Sequence, residues 1–239
     1  MNVHVYETSE LACRAAAGLF LAKLLAKPEA VLGLATGSTP IGIYQQLIAW
    51  HQEGLVDFSN ARSFNLDEYV GLKPDHPCSY RYFMNEQLFN HINMKDTRVP
   101  SGIADDMEKE ARDYDRAIER AGGIDLQLLG LGQNGHIGFN EPADEFSYGT
   151  QVVDLTESTI KANRRFFEKE EDVPRKAISL GIGGIMKAGQ VVLCAFGANK
   201  AQAVRDMVYG PLSPRCPASI LQLHKDAVIL LDEEAAALL

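Results

Sequence analysis

Between Gly130 and Pro142 the chain reads GLGQNGHIGFNEP. An imidazole (His136), two carboxamides (Asn134 and Asn140) and a carboxylate (Glu141) stand among glycines at 130, 132, 135 and 138, directly after an apolar run at 124–129. An imidazole, with an unperturbed pKa of about 6.5, moves protons near neutral pH. A carboxylate five residues on can orient it or share the transfer. Glycines beside the histidine let a ligand approach the backbone closely, because no Cβ stands in the way. Gly130, Gly132 and Gly135 also spell G-x-G-x-x-G, with Asp154 about twenty residues later, the formal fingerprint of a dinucleotide site. The context argues against it. The last glycine of that fingerprint opens a helix, whereas Gly138 and Pro142 punctuate the residues that follow and no apolar period of 3.6 appears. No second His or Cys stands at ligand spacing from His136, so no metal is expected.

Three further stretches could serve the same chemistry. Thr36-Gly37-Ser38-Thr39-Pro40 follows the apolar segment 31–35 and precedes Ile41, Tyr44, Leu47 and Ile48 at helical spacing, with Thr39 read as N-cap and Pro40 as the first helical residue. A strand, a Gly/Ser/Thr turn and a helix N-terminus present N–H groups, hydroxyls and a positive dipole end to an anion. No Lys follows the glycine, so this is a phosphate seat without being a P-loop. Asp67 and Glu68 sit at the carboxyl end of a strand predicted over 62–66, the ligand side of an open α/β sheet. Adjacent strand residues face opposite ways, so at most one of the two reaches a common substrate. Lys161, Arg164 and Arg165 form a basic cluster about twenty residues beyond the central loop, within reach of a phosphate. Lys200, in the predicted first turn of a helix over 200–208, opposes the helix dipole, and a bound anion would relieve that.

The elements that must position these residues alternate along the chain. Strands are predicted at 2–6, 31–35, 62–66, 124–129, 150–155, 177–180, 191–196 and 227–231. Between them lie a helix from Thr8 or Ser9 to about Lys27, one capped by Ser79, and a charged one over about 105–120 that ends at Gly122-Gly123. This alternation predicts a doubly wound, mostly parallel, Rossmann-like three-layer α/β sandwich. One domain over 1–239 is expected, with a small lid at about 143–175. A net charge of −9 and a pI near 5.2 exclude a basic stripe for nucleic acid. No apolar run approaches the roughly 18 residues that span a bilayer, and no secretory signal opens the chain. Cys13, Cys78, Cys194 and Cys216 lie far apart with no C-x-x-C, which suits reduced thiols in the cytoplasm.

Six stretches in one order resemble a known family over nearly the whole chain: LGLATGSTP at 32–40, FNLDEYVGL at 64–72, SYRYFM at 79–84, LGLGQNGHIGFNEP at 129–142, ANRRFF at 162–167 and SILQLH at 219–224. They look like the glucosamine-6-phosphate deaminases of the glucosamine/galactosamine-6-phosphate isomerase family. The related 6-phosphogluconolactonases share the fold and a similar phosphate turn, but DEYVG together with NGHIGFNEP resembles the deaminase pattern. The resemblance implies isomerisation of glucosamine 6-phosphate with loss of ammonia, giving fructose 6-phosphate without a cofactor. His136 matches the family's base for opening the pyranose ring and Glu141 the carboxylate that assists it. Asp67 matches the base that takes the C2 proton and returns it at C1 through an enolamine. Gly37, Ser38, Thr39, Arg165 and Lys200 match phosphate-binding positions. Asn134 stands where some members carry an aspartate; it can position a partner but cannot take a proton, so its implied role in ring opening is a supporting one. Asp144, Gln151, Val153 and Asp154 stand where allosterically activated members carry basic and hydroxyl groups for a second sugar phosphate. Acids there repel such an effector, so no effector site and a monomer or small homo-oligomer are expected. The alternatives are a lactonase of the same fold and a sugar-phosphate sensor without turnover, although no helix-turn-helix segment accompanies the chain.

Overall fold

The computed structural model describes residues 1–157, 159, 160, 164, 167 and 173–239. Seven strands form a sheet in which every neighbouring pair runs parallel. In chain order they are β1 (Asn2–Tyr6), β2 (Val31–Leu34), β3 (Arg62–Asn65), β5 (Asp96–Arg98), β6 (Leu126–Gly130), β9 (Gln190–Ala195) and β10 (Ala227–Asp232), and in space β1-β10-β9-β6-β2-β3-β5. The burial of the strands follows from that order. β2 and β10 are buried at every residue, as a parallel strand covered on both faces must be, whereas β1, at the edge, is mostly exposed or half-buried. The strand expected at 227–231 is β10, and β1 pairs outside it at the edge.

Helices cover both faces. α1 (Ser9–Ala26) starts on Thr8, whose hydroxyl accepts the Leu11 N–H at 3.3 Å. α2 (Ile41–Gln52) differs from the expectation. Its N-cap is Pro40 and no side chain caps it, so Thr39 does not play that part. α3 (Tyr80–Gln87) is capped by Ser79 as expected, and α4 (Met107–Arg120) by Asp106. α5 (Ile182–Met186) and α6 (Ala201–Tyr209) follow, the latter preceded by a 3-10 turn, Ala198–Lys200. Lys200 is thus the N-cap of α6 rather than a residue of its first turn.

A second sheet was not legible in the sequence. β4 (Asp67–Tyr69), β8 (Lys176–Ser179) and β7 (Gln151–Asp154) pair antiparallel in the order β4-β8-β7. The expected strand over 62–66 changes sheets at Leu66. Its N–H still donates to Leu34 O in the parallel ladder at 3.0 Å, while its carbonyl accepts from Leu180 N at 2.7 Å. Tyr69, Phe139, Leu155, Ile160, Phe167, Val173 and Ala177 form a small separate core beside this sheet. Part of the expected lid, 158, 161–163, 165, 166 and 168–172, lies outside the described residues.

Candidate active site

The chain leaves β2 towards β3 and β5 on one side, and leaves β6 towards β9 and β10 on the other. The sheet therefore has its topological switch point between β2 and β6, where an open α/β sheet gapes at its carboxyl edge and binds ligands. Both glycine-rich stretches issue from these two strands. Gly37, at φ +99°, turns the chain after β2 towards α2 in a conformation that L side chains rarely adopt. Thr39 Oγ1 lies 3.9 Å from where a Cβ on Gly130 would stand, so this turn packs on the end of β6. The Lys200 ammonium, arriving after β9, donates to Leu131 O at 2.7 Å. Gly37, Ser38, Thr39 and Lys200 thus gather at the ends of three adjacent strands. The first turn of α2, bare of any side-chain cap, adds its N–H groups. Such an arrangement can take an anion. Arg165, the remaining phosphate candidate, lies outside the described residues.

No helix follows β6, which disposes of the dinucleotide fingerprint. The loop instead folds back on itself, with the Gly132 N–H donating to the His136 carbonyl at 2.9 Å. A Cβ on Gly132 would stand 2.3 Å from Nδ1 and Cε1 of His136, so only glycine leaves room for the ring. Asn134 Oδ1 lies 2.7 Å from His136 Nδ1, and its amide Nδ2 donates to Glu141 Oε2 at 2.7 Å. Glu141 Oε2 is itself 3.4 Å from Nδ1. Both oxygens that face Nδ1 are acceptors, so Nδ1 carries the ring proton and Nε2 is left with a lone pair. The arrangement is an imidazole held in the tautomer of a proton acceptor. Thr156 Oγ1, at 3.5 Å, and Thr159 Oγ1 also donate to Glu141 Oε1. Burial alone would raise the Glu141 pKa. The hydrogen bond and charge of His136, with Thr159 and Asn134, overcome this and hold it at about 2. Glu141 is a permanent anion, an orienter rather than a proton donor. Asn140, the loop's other carboxamide, is a brace, donating to Ile137 O and Leu180 O at 2.9 Å each.

Asp67 reaches the same loop from β4. Its Oδ2 lies 3.7 Å from where a Cβ on Gly138 would stand, two residues from His136. The side chain is only 6% exposed, and no described residue donates a hydrogen bond to its carboxylate. Burial first, then the negative charge of Glu68, push the Asp67 carboxyl up to about 8. That makes it a far stronger base than an ordinary carboxylate. Asp67 and Glu68 do face opposite ways: Glu68 Oε1 accepts from Tyr69 N and Tyr80 N at 2.8 Å each, and Oε2 from Arg81 N at 3.0 Å. Sequence reading missed Thr156 and Thr159. Their one legible signal is the T-x-x-T spacing of a helix start, seen here as Thr159 N donating to Thr156 Oγ1 at 3.3 Å. Among the described residues no group of three His, Cys, Asp or Glu could hold a metal ion. None of their helices is long and apolar enough to cross a membrane.

Comparison with known proteins bears on the same chemistry. A family model described as glucosamine-6-phosphate isomerases/6-phosphogluconolactonase matches residues 7–230. A glucosamine-6-phosphate deaminase of Lachnoclostridium phytofermentans is 57% identical over 219 residues, 91% of this chain and 93% of the relative. One of Clostridioides difficile is 52% identical over 239 residues, covering 99% and 96%. A solved structure described as a monomeric glucosamine-6-phosphate deaminase superposes with a TM-score of 0.97 at 45% identity over 100% of both chains. A 6-phosphogluconolactonase from Trypanosoma cruzi, at 19% identity, 99% and 96% coverage and a TM-score of 0.79, shares the fold.

Proposed function

The chain belongs to the glucosamine-6-phosphate isomerase/6-phosphogluconolactonase family, and from that premise we propose that it converts glucosamine 6-phosphate and water to fructose 6-phosphate and ammonia. The observation that carries this reading is the pairing, at one crevice, of a histidine held as a proton acceptor with a buried carboxylate of raised basicity. An aldose-ketose isomerisation needs both. A hydroxyl proton must move to open the ring and a carbon-bound proton must move to shift the carbonyl, and one side chain cannot face both atoms.

The substrate phosphate sits on Gly37, Ser38, Thr39 and the first turn of α2, with Lys200 as a point charge and Arg165 as a planar fork. His136 Nε2 takes the proton from the C1 hydroxyl and hands it to the ring oxygen as that oxygen leaves C1, which gives the open aldehyde. Glu141 and Asn134 hold the ring and stabilise the imidazolium that forms. Asp67 then removes the C2 proton. The electron pair forms the C1–C2 double bond of an enolamine, and the aldehyde oxygen becomes a hydroxyl with the proton that the C2 ammonium gives up. An ammonium at C2 favours the ionised form of Asp67 next to it, so a base that is mostly protonated in the free protein is charged when substrate arrives. Asp67 returns its proton to C1, the nitrogen becomes an iminium, water adds at C2, and ammonia leaves. The relatives at 50–57% identity are glucosamine-6-phosphate deaminases, whereas the 6-phosphogluconolactonase of Trypanosoma cruzi is 19% identical.

Beyond the reaction itself, we place the protein in the cytoplasm, in amino-sugar catabolism and N-acetylglucosamine utilisation, working as a monomer or small homo-oligomer without an effector site. The basic test is release of ammonia and fructose 6-phosphate from glucosamine 6-phosphate by the purified chain without added metal or nucleotide. Equal release of both supports the reading, and binding without release would make the protein a sensor.

A further inference from the structure

We propose that Glu68, which turns away from the crevice, is a positioning residue for Asp67: its carboxylate ties β4 to the first turn of α3, and so fixes where Asp67 points and which charge stands behind it. The inference rests on the reading of Asp67 as the carbon base. Glu68 is 3% exposed, and its two oxygens are filled by the N–H groups of Tyr69, Tyr80 and Arg81. Ser79 takes the next N–H, that of Tyr82, at 3.0 Å. The whole first turn of α3 is thereby committed, and its positive dipole end serves Glu68 rather than a substrate.

Three donors and no acceptor around the group are the pattern of an ionised carboxylate. Burial raises the Glu68 pKa, and these N–H groups, with the charge of Arg81, oppose that rise. The contacts also set geometry. β4 has only three residues and pairs on one side, Asp67 with Ser179 and Glu68 with Ile178. Two of the bonds that Glu68 accepts, from Tyr80 N and Arg81 N, join this short strand to α3. The titratable groups that feel Asp67 from the surrounding elements are Tyr44 of α2, Tyr80 of α3 and Tyr114 of α4, all raised far above ordinary phenols by burial and hence neutral. Among the described residues Glu68 is therefore the charge that tunes Asp67.

The experiment compares kcat/KM against pH for the parent, Glu68→Gln and Asp67→Asn. With the charge removed and the shape kept, the acidic limb of the Glu68→Gln profile should move down by about one pH unit, and the plateau kcat should fall roughly threefold to tenfold with KM little changed. A purely structural role would lower activity without moving the limb, and an unmoved limb overturns the proposal. Asp67→Asn separates the two claims: if it turns over at the parental rate, the base assignment itself fails, whatever Glu68→Gln does. Should Glu68→Gln not fold, the parent decides through the amide resonances of Tyr80 and Arg81. Those should shift as Asp67 titrates if the two carboxylates are coupled, and their indifference to that titration overturns the proposal.

Discussion

At the scale of single residues, Asp67 and Glu141 are opposite solutions to burying a carboxylate. Asp67 has no donors among the described residues and rises to about 8; Glu141 has His136, Asn134, Thr156 and Thr159 and falls to about 2. Their effects on stability therefore run in opposite directions. The folded state keeps the Asp67 proton up to about pH 8, while the unfolded chain loses it near 3.8. This contribution is full below 3.8 and is lost as pH rises through about 8. Asp67→Asn, which abolishes turnover by at least about a thousandfold while leaving substrate binding roughly intact, should melt progressively higher than the parent as pH rises from 4 to 9. An unchanging difference in Tm across that range would contradict the burial argument. For Glu141 the contribution is present above the ordinary 4.5 and is lost as pH falls towards about 2. Glu141→Gln should accordingly lower Tm at pH 7 and converge on the parent near pH 2 to 3. His136→Gln should cost more with the closed-ring substrate than with an open-chain analogue, since ring opening alone uses the imidazole; equal losses would remove it from that step.

The elements explain why these side chains can act together. The switch point between β2 and β6 brings the anion seat and the histidine loop to one crevice, and the change of sheet at Leu66 carries Asp67 over to them. The loop works as an element only because Gly132 makes room for the imidazole. Gly132→Ala should leave the far-ultraviolet spectrum intact and lower kcat by about a hundredfold, because a displaced ring misplaces Nε2 by about an ångström; parental kcat in that variant would show that the loop tolerates the added methyl. The parallel sheet, the histidine loop and the glycine turn after β2 were legible because continuous apolar strands and punctuating glycines are local signals. The second sheet was not: β7 and β8 were expected as strands, but β4 has only three residues and its pairing with β8 spans more than a hundred residues of sequence. Thr39 was misjudged as a cap for a related reason: a Thr directly before Pro favours a cap, but the helix here starts a residue later and leaves its N–H groups to the crevice. Thr156 and Thr159 stayed hidden because their partner, Glu141, is distant in sequence.

At the scale of the whole molecule, the acidic balance of −9 leaves the phosphate seat dependent on a few local cations and helix ends. Where an effector phosphate would need basic groups, Asp144 pairs with Arg215 and Asp154 with Lys176, all four largely exposed. The rate curve should be hyperbolic and indifferent to N-acetylglucosamine 6-phosphate, with light scattering giving a mass near the 26.2 kDa of one chain or a small multiple. A sigmoidal curve relieved by that compound would contradict this. The central claim is that one crevice opens the ring with His136 and moves a carbon-bound proton with Asp67. Its most direct test is glucosamine 6-phosphate deuterated at C2, followed for ammonia and for the fate of the label. The parent should release one ammonia per fructose 6-phosphate formed and strip the label from C2, whereas Asp67→Asn should do neither. Ammonia released at the parental rate by Asp67→Asn, or no ammonia from the parent alongside rapid opening of 6-phosphogluconolactone, would contradict the account.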